Sequence, residues 1–378
     1  MKRTAMIIGG LSLLLVAACS GSSHDSTVAD STLPVHATPM TAQAASTPTA
    51  TRSRAKSITD PPAAATPKPA DPAAAPKPAD PAPAAASKPA DPAAAAASKL
   101  RTWWHPRPTG PNRGPEFQWE LDHALNVQGA QDMGDSATNV AGGKAPNPAV
   151  YDVDGINNPA SAVRALHRLH DKAICYIEVG AAGNYYSAAQ ESIPVTYFAQ
   201  LKAAGDLGSN VPGYPEYYLN ISAASTARII EAMIRQQCSA KGFDAVEPDI
   251  DDSYTDTTGF NITEGTNIRY DKMLGAYAHS LGLAWGQKNG DNDPQFSAAL
   301  APTTDFLLDE ECNFYHTCGV VTSPYVKAGK MVLDAEYTDD WGDDTARDLA
   351  EFCAFDLSRG IDGTLFTTAL AGQRNPCR

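Results

Sequence analysis

Eight short apolar segments recur between residues 103 and 378, and segments with helical periodicity separate them. The apolar segments have the length and composition of buried strands, and the segments between them carry apolar residues at three- and four-residue spacing. This alternation predicts an α/β fold, a (β/α)8 TIM-type barrel over residues 101–378. No glycine-rich phosphate loop follows the first strand, which disfavours an open dinucleotide-binding sheet. The predicted strands are Trp119–Leu121, Val150–Val153, Ala173–Val179, Phe243–Glu247, Leu283–Gln287, Phe306–Leu308, Met331–Ala335 and Thr364–Phe366.

The first eighteen residues have the layout of a bacterial lipoprotein signal peptide. Lys2 and Arg3 precede an apolar run over residues 5–16, and Cys19 stands at the cleavage point. The run is shorter than a membrane-spanning helix requires. We therefore predict a signal peptide over residues 1–18, lipidation of Cys19, and an exported protein anchored by lipid to a bacterial membrane, in the cell envelope or at the cell surface. An ordinary signal peptide that happens to contain Cys19 is the alternative.

Residues 19–100 consist mainly of Ala, Pro, Ser and Thr, with very few large apolar side chains. Such a segment cannot bury enough apolar surface to offset the loss of chain entropy. The sequence Lys-Pro-Ala-Asp-Pro recurs at Lys68, Lys77 and Lys88, which favours an extended, polyproline-like conformation. We predict a disordered stalk over residues 19–100 that precedes the barrel and acts as a spacer.

The seven cysteines of the chain comprise Cys19 and six more in the barrel region. An even number of cysteines in an exported domain predicts disulfides. We propose the pairs Cys175–Cys238, Cys312–Cys318 and Cys353–Cys377, among the many connectivities that six cysteines allow. No Cys-x-x-Cys or His-x-His cluster accompanies them, so the sequence predicts neither a metal site nor a cofactor.

The 43 acidic residues outnumber the 29 basic ones, and the net charge is −14. Nucleic acid is not an expected partner, because its binding requires a basic surface. An acidic surface suits a cationic or neutral ligand instead. We expect the protein to be a monomer.

The densest group of acids lies between Lys241 and Tyr254, around the end of the fourth predicted strand. Its carboxylates belong to Asp244, Glu247, Asp249, Asp251 and Asp252. Carboxylates this close raise one another's pKa, which favours a role in chemistry over a role in stability. Two alternatives stay open: a solvated acidic turn, and a calcium site at Asp251 and Asp252, although the central glycine of a calcium-binding loop is absent.

Polar residues also end the other predicted strands, on the side where a barrel carries its active site. They are Asp152 and Asp154, Glu178, Glu247 and Asp249, Lys288 and Asn289, Glu310 and Glu311, and Glu336 and Tyr337. Glycoside hydrolysis needs two carboxyls flanking the scissile bond, one to protonate the leaving oxygen and one to attack or to activate water. Asp249 and Glu310, two strands apart on one rim, are suited to face each other across a sugar.

Six short motifs follow one another between Trp103 and Tyr337. They are Tyr151-Asp152-Val153-Asp154, Ile174-Cys175-Tyr176-Ile177, Gly242-Phe243-Asp244-Ala245-Val246-Glu247-Pro248-Asp249, Lys288-Asn289, Glu310-Glu311-Cys312, and Ala328-Gly329-Lys330 leading to Glu336-Tyr337. In order and spacing they resemble glycoside hydrolase family 114, the endo-α-1,4-polygalactosaminidase type with a (β/α)8 barrel. The resemblance implies that Asp249 and Glu310 are the catalytic pair. It implies that Asp154, Lys288, Asn289 and Glu336 contact the substrate or support the site, and Glu178, Glu247 and Tyr337 complete the predicted substrate-binding set.

The chain departs from the family pattern at three places. Ile250 stands where the family usually has Asn, and Glu178 stands where it usually has Ser. The segment from Tyr214 to Ile221 lacks the Arg and the Asp of the family's Trp-x-x-Glu-Arg-Trp-Leu-Asp-Ile. These differences keep a second hypothesis open, a catalytically silent carbohydrate-binding lipoprotein.

The acidic charge favours a cationic amino-sugar polymer as substrate, because an acidic cleft raises the local concentration of such a polymer. Aromatic side chains near the predicted loops can stack on sugar rings, or simply pack in the protein; they are Trp103, Trp104, Trp119, Tyr185, Tyr186, Tyr254 and Tyr337. The predicted function is cleavage of α-1,4-linked galactosamine-rich polysaccharide by carboxylate acid–base chemistry.

Overall fold

The computed structural model describes residues 102–108, 116–290, 293–338 and 346–378. The predicted signal peptide, the lipidation site Cys19 and the predicted stalk lie outside the described residues. Among the described helices, none combines the length and the apolar character needed to cross a membrane.

Eight parallel strands, alternating with helices, form a nearly closed barrel. In chain order the strands of the protein are β1 (Phe117–Glu120), β2 (Val150–Asp154), β3 (Lys172–Glu178), β4 (Ala181–Gly183), β5 (Leu207–Asn210), β6 (Glu216–Leu219), β7 (Ala245–Asp249), β8 (Ala284–Lys288), β9 (Phe306–Glu310), β10 (Met331–Tyr337), β11 (Asp362–Phe366) and β12 (Arg374–Pro376). The main sheet runs β1-β2-β3-β7-β8-β9-β10-β11-β12, and only β12 is antiparallel to its neighbour. All eight predicted strands are present, and the predicted α/β barrel is confirmed.

The helices cover the outer face of these strands. They are α1 (Ala160–Leu169), α2 (Ala188–Glu191), α3 (Tyr197–Ala204), α4 (Ala224–Met233), α5 (Glu264–Leu281), α6 (Pro294–Leu300), α7 (Cys318–Val321), α8 (Ser323–Ala328) and α9 (Ala346–Arg359). Leu166, Ile230 and Leu274, from three different helices, are fully buried in one cluster with Val246 and Trp285 of the strands. The outer layer therefore holds the apolar faces of the helices against the barrel wall.

Side chains along each strand alternate between the barrel interior and the layer beneath the helices. On β9, Phe306 and Leu308 belong to the interior cluster, whereas Leu307 packs in the outer layer. On β7, Ala245 is interior and Val246 is exterior. Because the alternation continues to the strand ends, it decides which polar residues enter the mouth of the barrel.

The predicted end of β7 at Glu247 is wrong, because the strand continues through Pro248 to Asp249. Strand β8 pairs with β7 only at Ala245 and Val246. Pro248 lies in register with Ile177 of β3, and it lies beyond the last pair with β8, where a residue without an N–H is tolerated. The strand thereby carries Asp249 as its last residue.

The seam of the barrel lies between β1 and β11. The backbone N–H groups of Leu121 and Asp122 donate to the carbonyl of Leu370, at 3.0 and 3.3 Å. The rings of Phe117 and Phe366 meet across the seam with centroids 5.2 Å apart. The segment after β11 thus closes the barrel in place of a direct ladder between the first and the last parallel strand.

A small antiparallel sheet, in the order β4-β6-β5, interrupts the alternation between β3 and β7. It is joined to the barrel where the N–H of Leu219 donates to the carbonyl of Gly180, at 2.8 Å. A second link runs from Ser209 N–H to the carbonyl of Thr258, in the loop after β7, at 2.9 Å. The small sheet therefore lies beside the ends of β3 and β7, and it adds a wall to the site.

The structure contains the three disulfides Cys175–Cys238, Cys312–Cys318 and Cys353–Cys377, which are the pairs that the sequence analysis proposes. The first joins β3 to a π-helical segment, Ile234–Ser239, that follows α4. It lies on the outer side of β3, behind the strand that carries the acidic cluster.

Candidate active site

One buried lysine gathers three carboxylates at the mouth of the barrel. The ammonium nitrogen of Lys288 lies 2.9 Å from Glu247 Oε1, 3.0 Å from Asp249 Oδ1 and 3.0 Å from Glu310 Oε2. The side chain of Lys288 is only 3% exposed. It also lies over the ring of Trp119, 4.9 Å from the centroid, which adds a cation–π contact. Burial favours the neutral amine, but the three carboxylates hold the pKa of Lys288 well above its usual range.

Strand alternation explains why these four side chains meet. Glu247 and Asp249 follow the interior residue Ala245 at two-residue intervals on β7, and Lys288 follows the interior residue Ala284 on β8 in the same way. Glu310 continues the interior series of β9. Since the strands are parallel neighbours, their last interior residues converge at one end of the barrel.

Asp249 is held in its ionised form. Burial acts to raise the pKa of this carboxyl, but the Lys288 ammonium and the Tyr176 hydroxyl together lower it below its usual value. The hydroxyl of Tyr176 donates to Asp249 Oδ2 at 2.7 Å, while Oδ1 faces Lys288. An ionised carboxylate in this setting has the character of a nucleophile.

Glu310 occupies the more open side of the cluster, with its side chain 25% exposed. Asn289 holds it at both ends: the Asn289 side-chain amide donates to Glu310 Oε2 at 3.2 Å, and Asn289 Oδ1 accepts from the Glu310 backbone N–H at 2.9 Å. The Tyr337 hydroxyl donates to Glu310 Oε1. These contacts fix a carboxyl that remains accessible from the cleft.

Two further acids lie beneath the cluster. Glu247 and Asp152 are fully buried. Burial and the nearby Glu247 raise the pKa of Asp152 well above its usual range, and burial also raises the pKa of Glu247, against the attraction of Lys288. Burial therefore favours the protonated form of Asp152 at the floor of the site.

The residues that follow β7, β8 and β9 all adopt left-handed backbone conformations. Ile250, Asn289 and Glu311 have φ values of 56°, 48° and 57°. This conformation is unfavourable for a β-branched residue such as Ile250. Gly180 lies against it, and a Cβ atom there would come 1.8 Å from the carbonyl oxygen of Ile250. The three turns direct the chain sharply away from the mouth directly after the polar residues.

A continuous cleft opens above this cluster. One part, with a volume of about 340 Å³, is bordered by Trp119, Tyr176, Glu216, Asp249 and Lys288. The other part, of about 600 Å³, is bordered by acids that include Asp252, Asp256, Asp309 and Glu311. Both parts share Tyr214, Asn289, Glu310, Tyr337 and Thr368. Lys288 is the single cationic side chain among the described residues that line the cleft.

Some predicted site residues lie outside this cleft. Asp154 accepts hydrogen bonds from the N–H groups of Ile156 and Asn157, both at 2.7 Å, and from the Tyr186 hydroxyl, so it shapes the loop after β2. Glu178 lies beside Asp249 in the sheet register and accepts from the Tyr185 hydroxyl.

Glu336 is fully buried in the outer layer, because strand alternation sends Tyr337 into the mouth and its neighbour away from it. There it accepts from Asn313 N–H at 2.7 Å and from Phe314 N–H at 3.3 Å. It therefore holds the loop that follows β9. The structure brings together Asp249, Glu310, Glu247, Lys288, Asn289 and Tyr337 of the predicted set.

Sequence reasoning missed three residues of the site, Tyr176, Tyr214 and Glu216, and it named Asp152 as a polar strand end without giving it a role in the site. Asp152 and Tyr176 stand two residues before Asp154 and Glu178, so strict alternation would have placed them on the interior face. Glu216 belongs to the small sheet that the sequence did not predict. Burial and then Asp249 raise the pKa of Glu216 to about 7.

Of the aromatic residues that the sequence analysis names, some border the cleft and others contact neighbouring protein side chains. Trp119 and Tyr337 border the cleft. Trp103 stacks on His279 near the strand starts, with ring centroids 4.1 Å apart. The Tyr254 hydroxyl donates to Asp293 at 3.1 Å, and Trp104 lies under the ammonium of Lys172.

Among the described residues, two groups have the mutual spacing of metal ligands. One consists of Cys312, Cys318, Asp334 and Glu336, and its cysteines form a disulfide. The other consists of Glu120, His123 and Asp132, where His123 lies between the two carboxylates. Asp251 and Asp252, the residues of the calcium alternative, belong to neither group. Asp251 is buried and accepts from Lys288 N–H at 3.1 Å.

Comparison with solved structures finds a similar barrel in Ega3 and a weaker match to a second protein. Ega3 of Aspergillus fumigatus is 24% identical, with a TM-score of 0.58 over 73% of this chain and 98% of Ega3. The glycoside hydrolase domain of PelA from Pseudomonas aeruginosa is 13% identical, with a TM-score of 0.46 over 68% of this chain and 95% of that domain. A search of curated proteins finds no match to the chain.

The sequence itself matches a family model over most of its length. The model describes glycoside-hydrolase family GH114, and it matches residues 93–378, a range that contains the whole barrel and every residue of the site. The chain therefore belongs to glycoside-hydrolase family GH114, and it is a glycoside hydrolase with a (β/α)8 barrel.

Proposed function

We propose that this hydrolase is endo-acting and cleaves α-1,4-linked galactosamine-rich polysaccharide, with Asp249 as nucleophile and Glu310 as general acid and base. The observation that carries the assignment is the pair of contacts at 3.0 Å from one ammonium nitrogen, Lys288 Nζ, to Asp249 and to Glu310. These contacts hold two carboxylates close together beside a cleft that is open to solvent, as the proposed reaction requires. One of the two is held ionised by its neighbours.

The reaction proceeds in two steps on these residues. Asp249 Oδ attacks the anomeric carbon while Glu310 gives its proton to the glycosidic oxygen, so the sugar becomes esterified to Asp249 and the cleaved chain leaves as an alcohol. Glu310, now ionised, takes a proton from water as that water attacks the same carbon. The Asp249 ester bond breaks, and both residues return to their initial states.

Carboxylate separation supports retention of configuration. Asp249 Oδ1 and Glu310 Oε2 each lie 3.0 Å from Lys288 Nζ. The distance between these two oxygens therefore cannot exceed twice that value. Retaining enzymes have carboxyl groups about 5–5.5 Å apart, whereas inverting enzymes need about 6.5–9.5 Å to admit a water molecule. The contact with Lys288 therefore favours direct attack by Asp249.

The chemistry of the cleft supports a cationic amino sugar as substrate. Glu216, Asp252, Asp256, Asp309 and Glu311 border it in addition to the two reacting acids. An acid-lined cleft attracts a polymer that carries ammonium groups. Ega3, which shares the barrel fold, has been crystallised in complex with galactosamine.

Hydrolysis can be tested directly with purified protein and de-acetylated polygalactosamine, scored by the appearance of reducing ends. We expect medium-sized oligosaccharides early in the digestion, as an endo-acting enzyme produces, and no activity in Asp249→Asn or Glu310→Gln. Binding of the polymer without release of product would instead support the silent carbohydrate-binding protein. Activity that survives both substitutions would contradict the residue assignment.

We also propose that the enzyme is exported and anchored by a lipid on Cys19, with residues 19–100 as a spacer. The proposal rests on the basic residues, the apolar run and the cysteine at the start of the chain. Labelled fatty acid should enter the wild-type protein and be absent from Cys19→Ala. Membrane fractionation should find the variant released, and an unlabelled wild-type protein would contradict the anchor.

A further inference from the structure

Asp309 lies next to Glu310 on β9, but strand alternation directs it to the other side of the barrel wall. Asp309 nevertheless borders the larger part of the cleft, because that part extends between the loops that follow β7, β8 and β9. The residue is only 4% exposed. Among the described residues, Asp309 has no hydrogen-bond or ion-pair partner, whereas its register neighbour Asp334 accepts from the Asn313 amide at 2.8 Å.

A buried carboxyl without a hydrogen-bond partner destabilises the folded protein. Here burial, together with Glu310 and Asp252, raises the pKa of Asp309 well above its usual range. The attraction of Lys288 offsets these effects only in part. A cationic ligand in the cleft would offset them further, because it would supply both a counter-charge and the missing hydrogen-bond donors.

The surroundings of Asp309 fit a sugar ring. This part of the cleft has a volume of about 600 Å³, within the range of small-ligand sites. Two tyrosines, Tyr214 and Tyr315, border it and are 65% and 62% exposed. Exposed aromatic rings of this kind provide flat apolar surfaces with a polar tip. Asp252 and Asp256 add negative charge to the same walls.

We propose that Asp309 is a specificity-determining residue that binds the ammonium group of a second, unacetylated galactosamine unit next to the cleaved bond. This inference rests on the proposed function and names the unit that the larger part of the cleft accepts. An ammonium group donates to the Asp309 carboxylate and neutralises it. An N-acetyl group offers a single neutral N–H and supplies no counter-charge for the carboxylate, so an acetylated unit is disfavoured at this position.

The test uses a partially acetylated galactosamine polymer and the full-length enzyme. Mass spectrometry of the products shows which units flank each cleaved bond. In the wild type we expect one flanking position to be almost always unacetylated. In Asp309→Asn, the preference for galactosamine over N-acetylgalactosamine at that position should fall about tenfold, the size expected for a charge-assisted hydrogen bond. Asp334→Asn, which removes a buried aspartate of the same layer outside the cleft, should leave the preference unchanged.

The outcomes separate this inference from the proposed function. Cleavage with the same flanking composition in wild type and Asp309→Asn overturns the role of Asp309 and leaves the hydrolase assignment intact. If the wild type cleaves no galactosamine polymer, the proposed function fails, and calorimetry with galactosamine oligosaccharides then tests the site alone. Equal affinities of the wild type and Asp309→Asn overturn the inference, and an affinity about tenfold weaker in the variant supports it. Thermal melts of each variant verify that it is folded.

Discussion

The acids at the two ends of β7 differ in the number of donors and cations that surround them. At the start of β7, Asp244 accepts from Lys172 Nζ at 2.6 Å, from His167 at 2.8 Å and from Ala173 N–H at 3.0 Å. At the end of the same strand, Asp249 shares one lysine with Glu247 and Glu310. Asp244 thus accepts from three donors, whereas Asp249 shares a single cation with two other carboxylates.

The same contrast holds on the neighbouring strands. Asp305, just before β9, accepts from His279 at 2.7 Å, from Trp285 N–H at 3.0 Å and from Trp103 Nε1 at 3.1 Å. Burial opposes ionisation, but these hydrogen bonds lower the pKa of Asp305. At the mouth, burial raises the pKa values of Asp152 and Glu216. Asp244 and Asp305 therefore stabilise the fold, whereas Asp152 and Glu216 are held at the mouth at a cost in stability.

The largest effect should come from Asp249→Asn. The amide keeps the shape of the carboxylate but cannot attack the anomeric carbon, so kcat should fall by at least about a thousandfold. Reducing-end assays on polygalactosamine measure the loss. The melting temperature should stay within a few degrees of wild type, because the substitution also removes a charge from a crowded group.

Asp244→Asn is the matched control on the same strand. It should cost about 1–3 kcal/mol of unfolding free energy in urea titrations, because the amide loses the negative charge and replaces one of the two acceptor oxygens that face Lys172 and His167 with a donor. The value of kcat/KM should remain at the wild-type level. A stable Asp244→Asn protein with impaired catalysis would remove the distinction between the two ends.

Lys288→Met should have the next largest effect. Without the ammonium group, Asp249 loses the charge that lowers its pKa, so the acidic limb of the pH–rate profile should move to higher pH. We expect kcat/KM near pH 6 to fall about a hundredfold. Lys172→Met removes the lysine partner of Asp244 instead, and its pH–rate profile should match that of the wild type. An unshifted profile in Lys288→Met would show that the lysine does not govern Asp249.

Glu216→Gln should alter how stability depends on pH. The folded pKa of Glu216, about 7, lies above the ordinary value of 4.5, because burial and Asp249 disfavour its charge. The stability that this group contributes is therefore fully present below pH 4.5 and is lost as pH rises through about 7. Between these limits the variant should gain ~1 kcal/mol relative to wild type, after allowance for solvent screening. An equal difference in unfolding free energy between the two proteins at pH 4.5 and at about pH 7 would contradict the shift.

The smallest effect concerns the left-handed turn after β7. Ile250→Asn relieves backbone strain but gives up packing against Ala181, Val211 and Tyr218, so we expect a net gain of about 1 kcal/mol or less. Ile250→Val keeps the strain and also loses packing, and should be less stable than wild type by about 0.5–1.5 kcal/mol. Thermal denaturation ranks the three proteins, and an Asn variant less stable than the Val variant would contradict the interpretation.

Alternation of strand and helix made the barrel predictable, and the parallel order then placed Asp249, Lys288 and Glu310 on one rim. Both inferences depend only on periodicity and on the geometry of parallel strands. The same rule, applied strictly, separates Glu336 from Tyr337, since neighbouring residues of β10 cannot both face the mouth. It also points to Asp152 and Tyr176, which share the interior face with Asp154 and Glu178.

The small sheet could not be predicted in the same way. Its strands have three or four residues each, too few to show alternation, and Ala181–Gly183 contains no β-branched or aromatic side chain. Glu216 and Tyr214 reach the cleft only because this sheet lies beside β3 and β7. Their position at the cleft depends on packing between segments distant in sequence, and no local sequence pattern predicts such packing.

The nature of the azide adduct formed by Asp249→Ala tests the central assignment most directly. Azide can enter the space left by the carboxylate and attack an activated α-galactosaminide from the same face, and proton NMR identifies the anomer of the product. We expect the β-galactosaminyl azide, since the attack inverts the anomeric centre once. Formation of the α-azide, or the absence of any azide adduct in a folded Asp249→Ala protein, would contradict the role of Asp249 as nucleophile.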